Sequence, residues 1–291
     1  MSEQPAEPID KKRVTPANLL EAAVVVVVIQ LFALLITNQN GPAYGYVVNS
    51  TGYSFGPAGN TPAGATVNAL ILVVFAFALT LGMVWLLRRK MVTSFKLVIF
   101  GSVAFSAFIL TMVTADVFAI EYLPAALELP IAFGVPAVVV ALIAYTIFLK
   151  NRPWLSTAIL AFVGAEVGSF FAETLSPWTA LALPIAFSVY DIYAVFRGPL
   201  KALIGTEPGI ALVGMSIKAG QFTVGLGDIV FYTLLPSLAL YQYGLAPSLY
   251  TILAIDVGMA ITLFLLSRKR LLPGLPIPML LGILVLARYV I

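Results

Sequence analysis

Two aspartates lie where a charge is costly. Asp191 sits in Ser188-Val189-Tyr190-Asp191-Ile192-Tyr193, and Asp228 closes Gly225-Leu226-Gly227-Asp228; each stretch is set in an apolar run long enough to lie in a bilayer. An ionisable side chain at membrane depth is expensive, so its presence is a functional hypothesis by default. Two carboxyl groups held close cannot both ionise. They share a proton, and one can act as base while the other acts as acid. That pair activates water against a peptide carbonyl without a metal or a covalent nucleophile, so the expected chemistry is aspartyl proteolysis inside the membrane.

What the chain lacks narrows the alternatives. It contains no cysteine and no histidine. That removes disulfides, thiolate metal sites and cysteine nucleophiles. It also removes zinc proteases of the H-E-x-x-H type and serine proteases that depend on a histidine base. No metal and no cofactor is expected, and carboxylates are the groups best placed for chemistry.

The elements that must position them follow from composition. Of 291 residues 61% are hydrophobic and 10% charged, with a mean hydropathy of +1.03. A soluble domain of that length needs more charge to cover its surface, so the expected fold is an all-α, polytopic membrane protein. The apolar runs are continuous rather than alternating, which argues against a β-barrel. The formal charge of +3 comes with basic residues at segment ends, which points to membrane orientation and not to nucleic acid.

Nine transmembrane segments are expected, at about 16–37, 66–87, 95–115, 125–149, 154–174, 178–196, 222–243, 248–267 and 277–290. Residues 1–15 form an amino-terminal tail, and 16–291 a single polytopic domain. Spans one to six reach residue 196, a loop covers 197–221, and spans seven to nine fill 222–291. Thr15-Pro16 reads as a helix start, with Thr15 as cap and Pro16 in the first helical position. The stretch from Asn38 to Ala65 reads as an uncharged loop rich in Gly, Pro, Asn and Tyr. The loop Arg197–Gln221 holds a β-leaning run, Ile210-Ala211-Leu212-Val213. No internal repeat is evident, which weighs against inverted-repeat transporters.

Basic residues orient these segments. With the amino terminus in the cytoplasm, Lys11, Lys12 and Arg13 fall inside, as do Arg88, Arg89, Lys90 and Lys96. So do Lys150 and Arg152, then Arg197, Lys201 and Lys218, then Arg268, Lys269 and Arg270. Only Arg288 of the sixteen falls on the outer side. The carboxyl terminus is then outside. Trp85, Trp154 and Trp178 mark segment ends, as aromatic belts require. The expected location is the cell membrane.

Depth sorts the acidic residues. Asp191 precedes Arg197 by six residues, about 9 Å of helix, and Asp228 follows Lys218 by ten, at most about 15 Å. Both therefore lie at similar depth in the inner half, on consecutive antiparallel helices, where they can face each other. Glu166 and Asp256 lie deeper, about 18–21 Å from the inner border, and read as neutral hydrogen-bonding groups in the packing. Glu21, in the first turns of its helix, is favourable to the dipole. Glu128 lies near an outer helix end. Gly225 and Gly227 allow close backbone approach and a loose helix start beside Asp228.

Tyr190-Asp191, followed 37 residues later by the aspartate of Gly225-Leu226-Gly227-Asp228, resembles the paired signature of the presenilin and signal peptide peptidase family. Pro273-Gly274-Leu275-Pro276 resembles that family's Pro-Ala-Leu-Pro element, with Gly274 in place of alanine. The motif resemblance covers residues 188–278, while the first five spans match in number and spacing only. It implies a presenilin-like fold with Asp191 and Asp228 as the catalytic dyad. It further implies a site lined by Tyr190, Gly225, Leu226, Gly227, Pro273, Gly274, Leu275 and Pro276. The cytoplasmic amino terminus resembles presenilin, since signal peptide peptidase has the inverted orientation. The compact chain without His or Cys is most similar to an archaeal member. Its implied partners are single-span transmembrane substrates and the lipid bilayer, with no obligatory protein subunit indicated. Two rivals stand beside this reading: a proton- or cation-coupled transporter using Glu166, Asp191, Asp228 and Asp256 as a relay, and a prepilin-type peptidase. Tyr190-Asp191 and the Pro273–Pro276 element weigh against the latter.

Overall fold

The computed structural model describes residues 15–51, 56–149, 152–197, 215–220, 222–266 and 272–290. Among them are nine helices: α1 (Pro16–Thr51), α2 (Pro62–Arg88), α3 (Val92–Tyr122), α4 (Ala125–Ala144, continued by a π-turn over Tyr145–Leu149), α5 (Pro153–Thr174), α6 (Pro177–Phe196), α7 (Leu226–Tyr243), α8 (Leu245–Leu266) and α9 (Pro276–Val290). Between α6 and α7 runs a two-stranded antiparallel hairpin, β1 (Ser216–Ala219) and β2 (Phe222–Gly225). Seven of the helices, α1–α6 and α8, are long and apolar enough to cross a membrane. The chain is a multi-pass integral membrane protein.

The starts follow the expected local rules. Thr15 Oγ1 accepts the Asn18 N–H at 3.3 Å, and Pro16 opens α1. Thr61 and Ser176 cap α2 and α6 in the same way, each followed by a proline. The tryptophans lie at helix ends and stay exposed, with the Arg89 guanidinium 5.8 Å from the Trp85 ring centre.

Two expectations are corrected. The stretch from Asn38 is not a loop at its start: α1 runs on to Thr51. Gln39 Nε2 donates to the Thr114 carbonyl at 3.1 Å and Asn40 Nδ2 to Thr114 Oγ1 at 2.9 Å, so polar side chains that read as turn-forming are held by α3. Nor does the seventh segment start as helix at Phe222. Residues Phe222–Gly225 pair with Ser216–Ala219, and the helix begins at Leu226. Gly220, at φ +60°, makes the turn, and aromatic and β-branched Phe222, Thr223 and Val224 suit a strand. The β-leaning run Ile210–Val213 lies outside the described residues.

The bundle is organised around α7, which packs against α1, α5, α6, α8 and α9. Ile229, Leu234, Leu235 and Leu238 are fully buried in the main core. Because protein surrounds α7, it can carry Asp228, Tyr232, Thr233 and Ser237, a polar content that a lipid-facing helix would not tolerate. α5 meets it through two small residues. A Cβ on Gly164 would lie 2.8 Å from Ile229 Cγ2, and one on Gly168 would collide with Thr233 Oγ1 and come within 2.8 Å of the Val230 carbonyl. This is a small-xxx-small contact, the usual means of close helix approach in membranes. A side chain at Gly168 would push α7 off α5, at about 1–3 kcal/mol for overpacking. A second core joins α3, α4 and α5 through Phe95, Ile99, Ile143 and Val163.

Candidate active site

The end of α6 and the start of α7 lie at the same end of the bundle, since Asp191 near the one and Asp228 near the other both reach the segment before α9. Asp191 lies five residues before the last residue of α6, and Asp228 is the third residue of α7. Each is half-buried. The hairpin fixes the start of α7: the Leu226 N–H donates to the Met215 carbonyl at 2.8 Å, and the Lys218 N–H donates to Thr157 Oγ1 on α5 at 3.0 Å. Glu21 of α1 lies against its turn at Gly220.

Both carboxyl groups come to one dipeptide, Gly274-Leu275. The Leu275 N–H donates to Asp191 Oδ2 at 3.1 Å. A Cβ on Gly274 would lie 2.7 Å from Asp228 Oδ2 and 3.2 Å from its carboxyl carbon. Pro276 opens α9, and proline cannot extend that helix backwards through its own missing N–H, so residues 272–275 stay irregular. Irregular backbone at such a place leaves its N–H groups free to bind a carboxylate.

The remaining expected site residues divide. Gly225 lies beside Asp228, a Cβ there meeting Oδ2 at 3.4 Å, an ordinary contact. At Gly227 the expectation of close backbone packing does not hold: a Cβ would meet nothing within 4 Å, and the residue is exposed to open space. Leu226 is half-buried and begins α7. Tyr190 turns to α2, its hydroxyl donating to Thr80 Oγ1 at 2.9 Å and its ring edge-on to Phe77 and Phe187. It ties α6 to α2 rather than touching either carboxylate. Pro273 is buried, as is Leu275, which belongs to the main core, so Leu275 meets Asp191 through its backbone and not its side chain.

One neighbour was not read from the sequence. Tyr232, 2% exposed, donates its hydroxyl to the Gly274 carbonyl at 2.9 Å. It stands four residues after Asp228, on the same face of α7, and that spacing is the signal that could have found it. Gly274 is thus held from below by Tyr232 while its neighbour holds Asp191.

Glu166 lies apart from this cluster, whereas Asp256 borders it on the Tyr232 side. Glu166 Oε2 accepts from Thr111 on α3 at 2.8 Å, an arrangement between α5 and α3. Asp256, on α8, lies beside Gln30, whose Nε2 donates to the Tyr232 carbonyl at 3.2 Å. Glu166→Gln and Asp256→Asn keep a hydrogen-bonding group of nearly the same shape. Each is expected to retain folding and activity within a few-fold of wild type, read by thermal unfolding and turnover. Loss of function in both would favour a carboxylate relay instead.

The family model described as Presenilin matches residues 16–208, more than half of the chain, including the five spans that matched in number and spacing alone. Presenilin-B of Dictyostelium discoideum is 36% identical over 120 residues, which are 38% of this chain and 25% of that protein. The match spans only a quarter of that relative's length. Among solved structures, a presenilin family intramembrane aspartate protease superposes with a TM-score of 0.63 at 18% identity, covering 93% of this chain and 97% of that one. At that identity the likeness is one of fold. On the extent of the family match, this chain belongs to the presenilin family.

Proposed function

We propose that the chain is an intramembrane aspartyl protease, cutting peptide bonds in or near the transmembrane helices of single-span proteins, with Asp191 and Asp228 as its acid–base pair. The observation that carries the reading is the convergence of two carboxyl groups from α6 and α7 on Gly274-Leu275. Family membership and the fold of the aspartate protease it resembles support it. Placing the amino terminus in the cytoplasm and the carboxyl terminus outside the cell membrane accords with the basic residues.

In this mechanism a water lies between the carboxyls. The ionised aspartate takes its proton, and the oxygen attacks the substrate carbonyl. The neutral aspartate donates a hydrogen bond to that carbonyl oxygen, which becomes the oxyanion. Collapse of the tetrahedral intermediate breaks the C–N bond, and a proton passes to the leaving amine. The products are a new carboxyl and a new amino terminus. A helical substrate is closed to attack because its carbonyls are already hydrogen-bonded and wrapped in side chains, so the cut segment must unwind. An unwound segment recovers those bonds by pairing with a strand, and the β1–β2 hairpin runs directly into Asp228. Open space at Gly227 leaves room for it.

The test is incubation of the purified protein in liposomes with a synthetic single-span peptide. Internal cleavage supports the reading, and an intact peptide across a range of single-span sequences refutes it.

A further inference from the structure

At the end of the bundle opposite Asp191 and Asp228 lies a cavity of about 910 Å³ between α1, the α5–α6 turn and the end of α7. Its wall includes Asn38, Gly41, Glu173, Ser176, Tyr241 and Gln242, and no basic residue among the described residues. Glu173 is 3% exposed, and its Oε2 has no hydrogen-bond partner. The other oxygen is well supplied. Ser169 Oγ donates to Glu173 Oε1 at 3.1 Å, and Thr37 Oγ1 lies 2.7 Å from Ser169 Oγ. Two hydroxyls thus stand in line with the carboxyl group.

A buried carboxyl oxygen left without a partner is costly, and a cationic N–H donor satisfies it best. Tyr241 supplies an aromatic face nearby. Its ring packs on α1, where a Cβ at Gly41 would meet Cδ2 at 3.2 Å and one at Gly45 would meet its hydroxyl at 3.1 Å. Carboxylate and aromatic ring together are the usual surroundings of an organic ammonium group. A metal ion fits less well: no cluster of three Asp, Glu, His or Cys side chains suited to one occurs among the described residues. The volume also exceeds what a single ion requires.

We infer that this cavity is a binding site for an ammonium group, drawn to the Glu173 carboxyl group in the same wall as Tyr241, and separate from the proteolytic centre. A primary amine can reach it from two sources, the ethanolamine headgroup of a phospholipid or a free amine in solution. Exposed Asn38 and Gln242 at the wall leave the cavity open to the outside of the bundle.

The experiment uses the full chain in nanodiscs of phosphatidylethanolamine mixed with phosphatidylglycerol, followed by native mass spectrometry of retained lipid, and calorimetric titration with ethanolamine. Two variants are compared. Glu173→Gln removes the charge, and Asn38→Lys puts a competing cation at an exposed position that leaves the packing untouched. If the headgroup is the ligand, wild type retains phosphatidylethanolamine over phosphatidylglycerol, and both variants lose about tenfold of that preference, the loss expected for a hydrogen bond to a charged group. If a free amine is the ligand, ethanolamine binds wild type without a lipid preference and binds both variants about tenfold more weakly. Should Glu173→Gln fail to fold, Asn38→Lys decides alone. Wild type and Asn38→Lys that match in both assays overturn the proposal.

Discussion

Asp191→Asn and Asp228→Asn are each expected to lower peptide-bond hydrolysis by about a thousandfold or more, to the level of the blank, while the protein stays folded. Asparagine is nearly isosteric with aspartate, so the contact with the Leu275 N–H survives in Asp191→Asn through the amide oxygen. What disappears is the ability to take up or give a proton. Either single change therefore removes the pair as a unit, and the double variant should be no worse than either single one, the non-additivity of residues that act together. In the wild type the pH–rate profile should be bell-shaped, with both limbs belonging to the pair rather than to one aspartate. Circular dichroism and thermal unfolding of the variants separate this outcome from misfolding. A variant with residual turnover above about a tenth of wild type would show that its aspartate is not part of the reaction.

Gly274→Val should also be damaging, to a smaller extent and for a different reason. The new Cβ would meet Asp228 Oδ2 at 2.7 Å, closer than real Cβ atoms come to any neighbour. The backbone cannot slide away freely, since Tyr232 holds the Gly274 carbonyl and Asp191 holds the adjacent N–H. The strain falls on the Asp228 side chain, which must leave its position beside Asp191. The expected result is a fall in kcat of about tenfold to a hundredfold, consistent with a small misplacement of a catalytic group, with KM changed little. Tyr232→Phe, which frees the Gly274 carbonyl without adding bulk, should partly restore activity when combined with Gly274→Val. Unchanged turnover in Gly274→Val would place this dipeptide away from the chemistry.

Much of the architecture was legible because the bilayer enforces it. Long apolar runs can do little but form helices, and nine helices occur among the described residues where nine membrane segments are expected, seven of them long and apolar enough to cross a membrane. The candidate aspartates were legible for the same reason, since charge stands out against hydrocarbon. Where the reading failed, a tertiary partner decided. Asn38 to Ala65 reads as a loop by composition, yet α3 supplies Thr114 to satisfy Gln39 and Asn40 and the helix continues to Thr51. Phe222–Gly225 is a short apolar run, and such runs do not distinguish strand from the start of a helix without knowledge of the pairing partner. Tyr232 looked like one more aromatic in a span. Its role at Gly274 depends on where residues 272–275 pass, which no local pattern reveals. Glu173 carries no local signal, since its environment is made by Thr37, Ser169 and a cavity at the other end of the bundle.

The most direct test of the central claim is mass spectrometry of a single-span peptide after incubation with the wild-type protein and with the Asp191→Asn, Asp228→Asn double variant, side by side in liposomes. The expected result is a pair of fragments from the wild type whose masses sum to that of the peptide plus one water, cut in or next to its apolar span, and none from the variant. An intact peptide with the wild type, or the same fragments from the double variant, would contradict it.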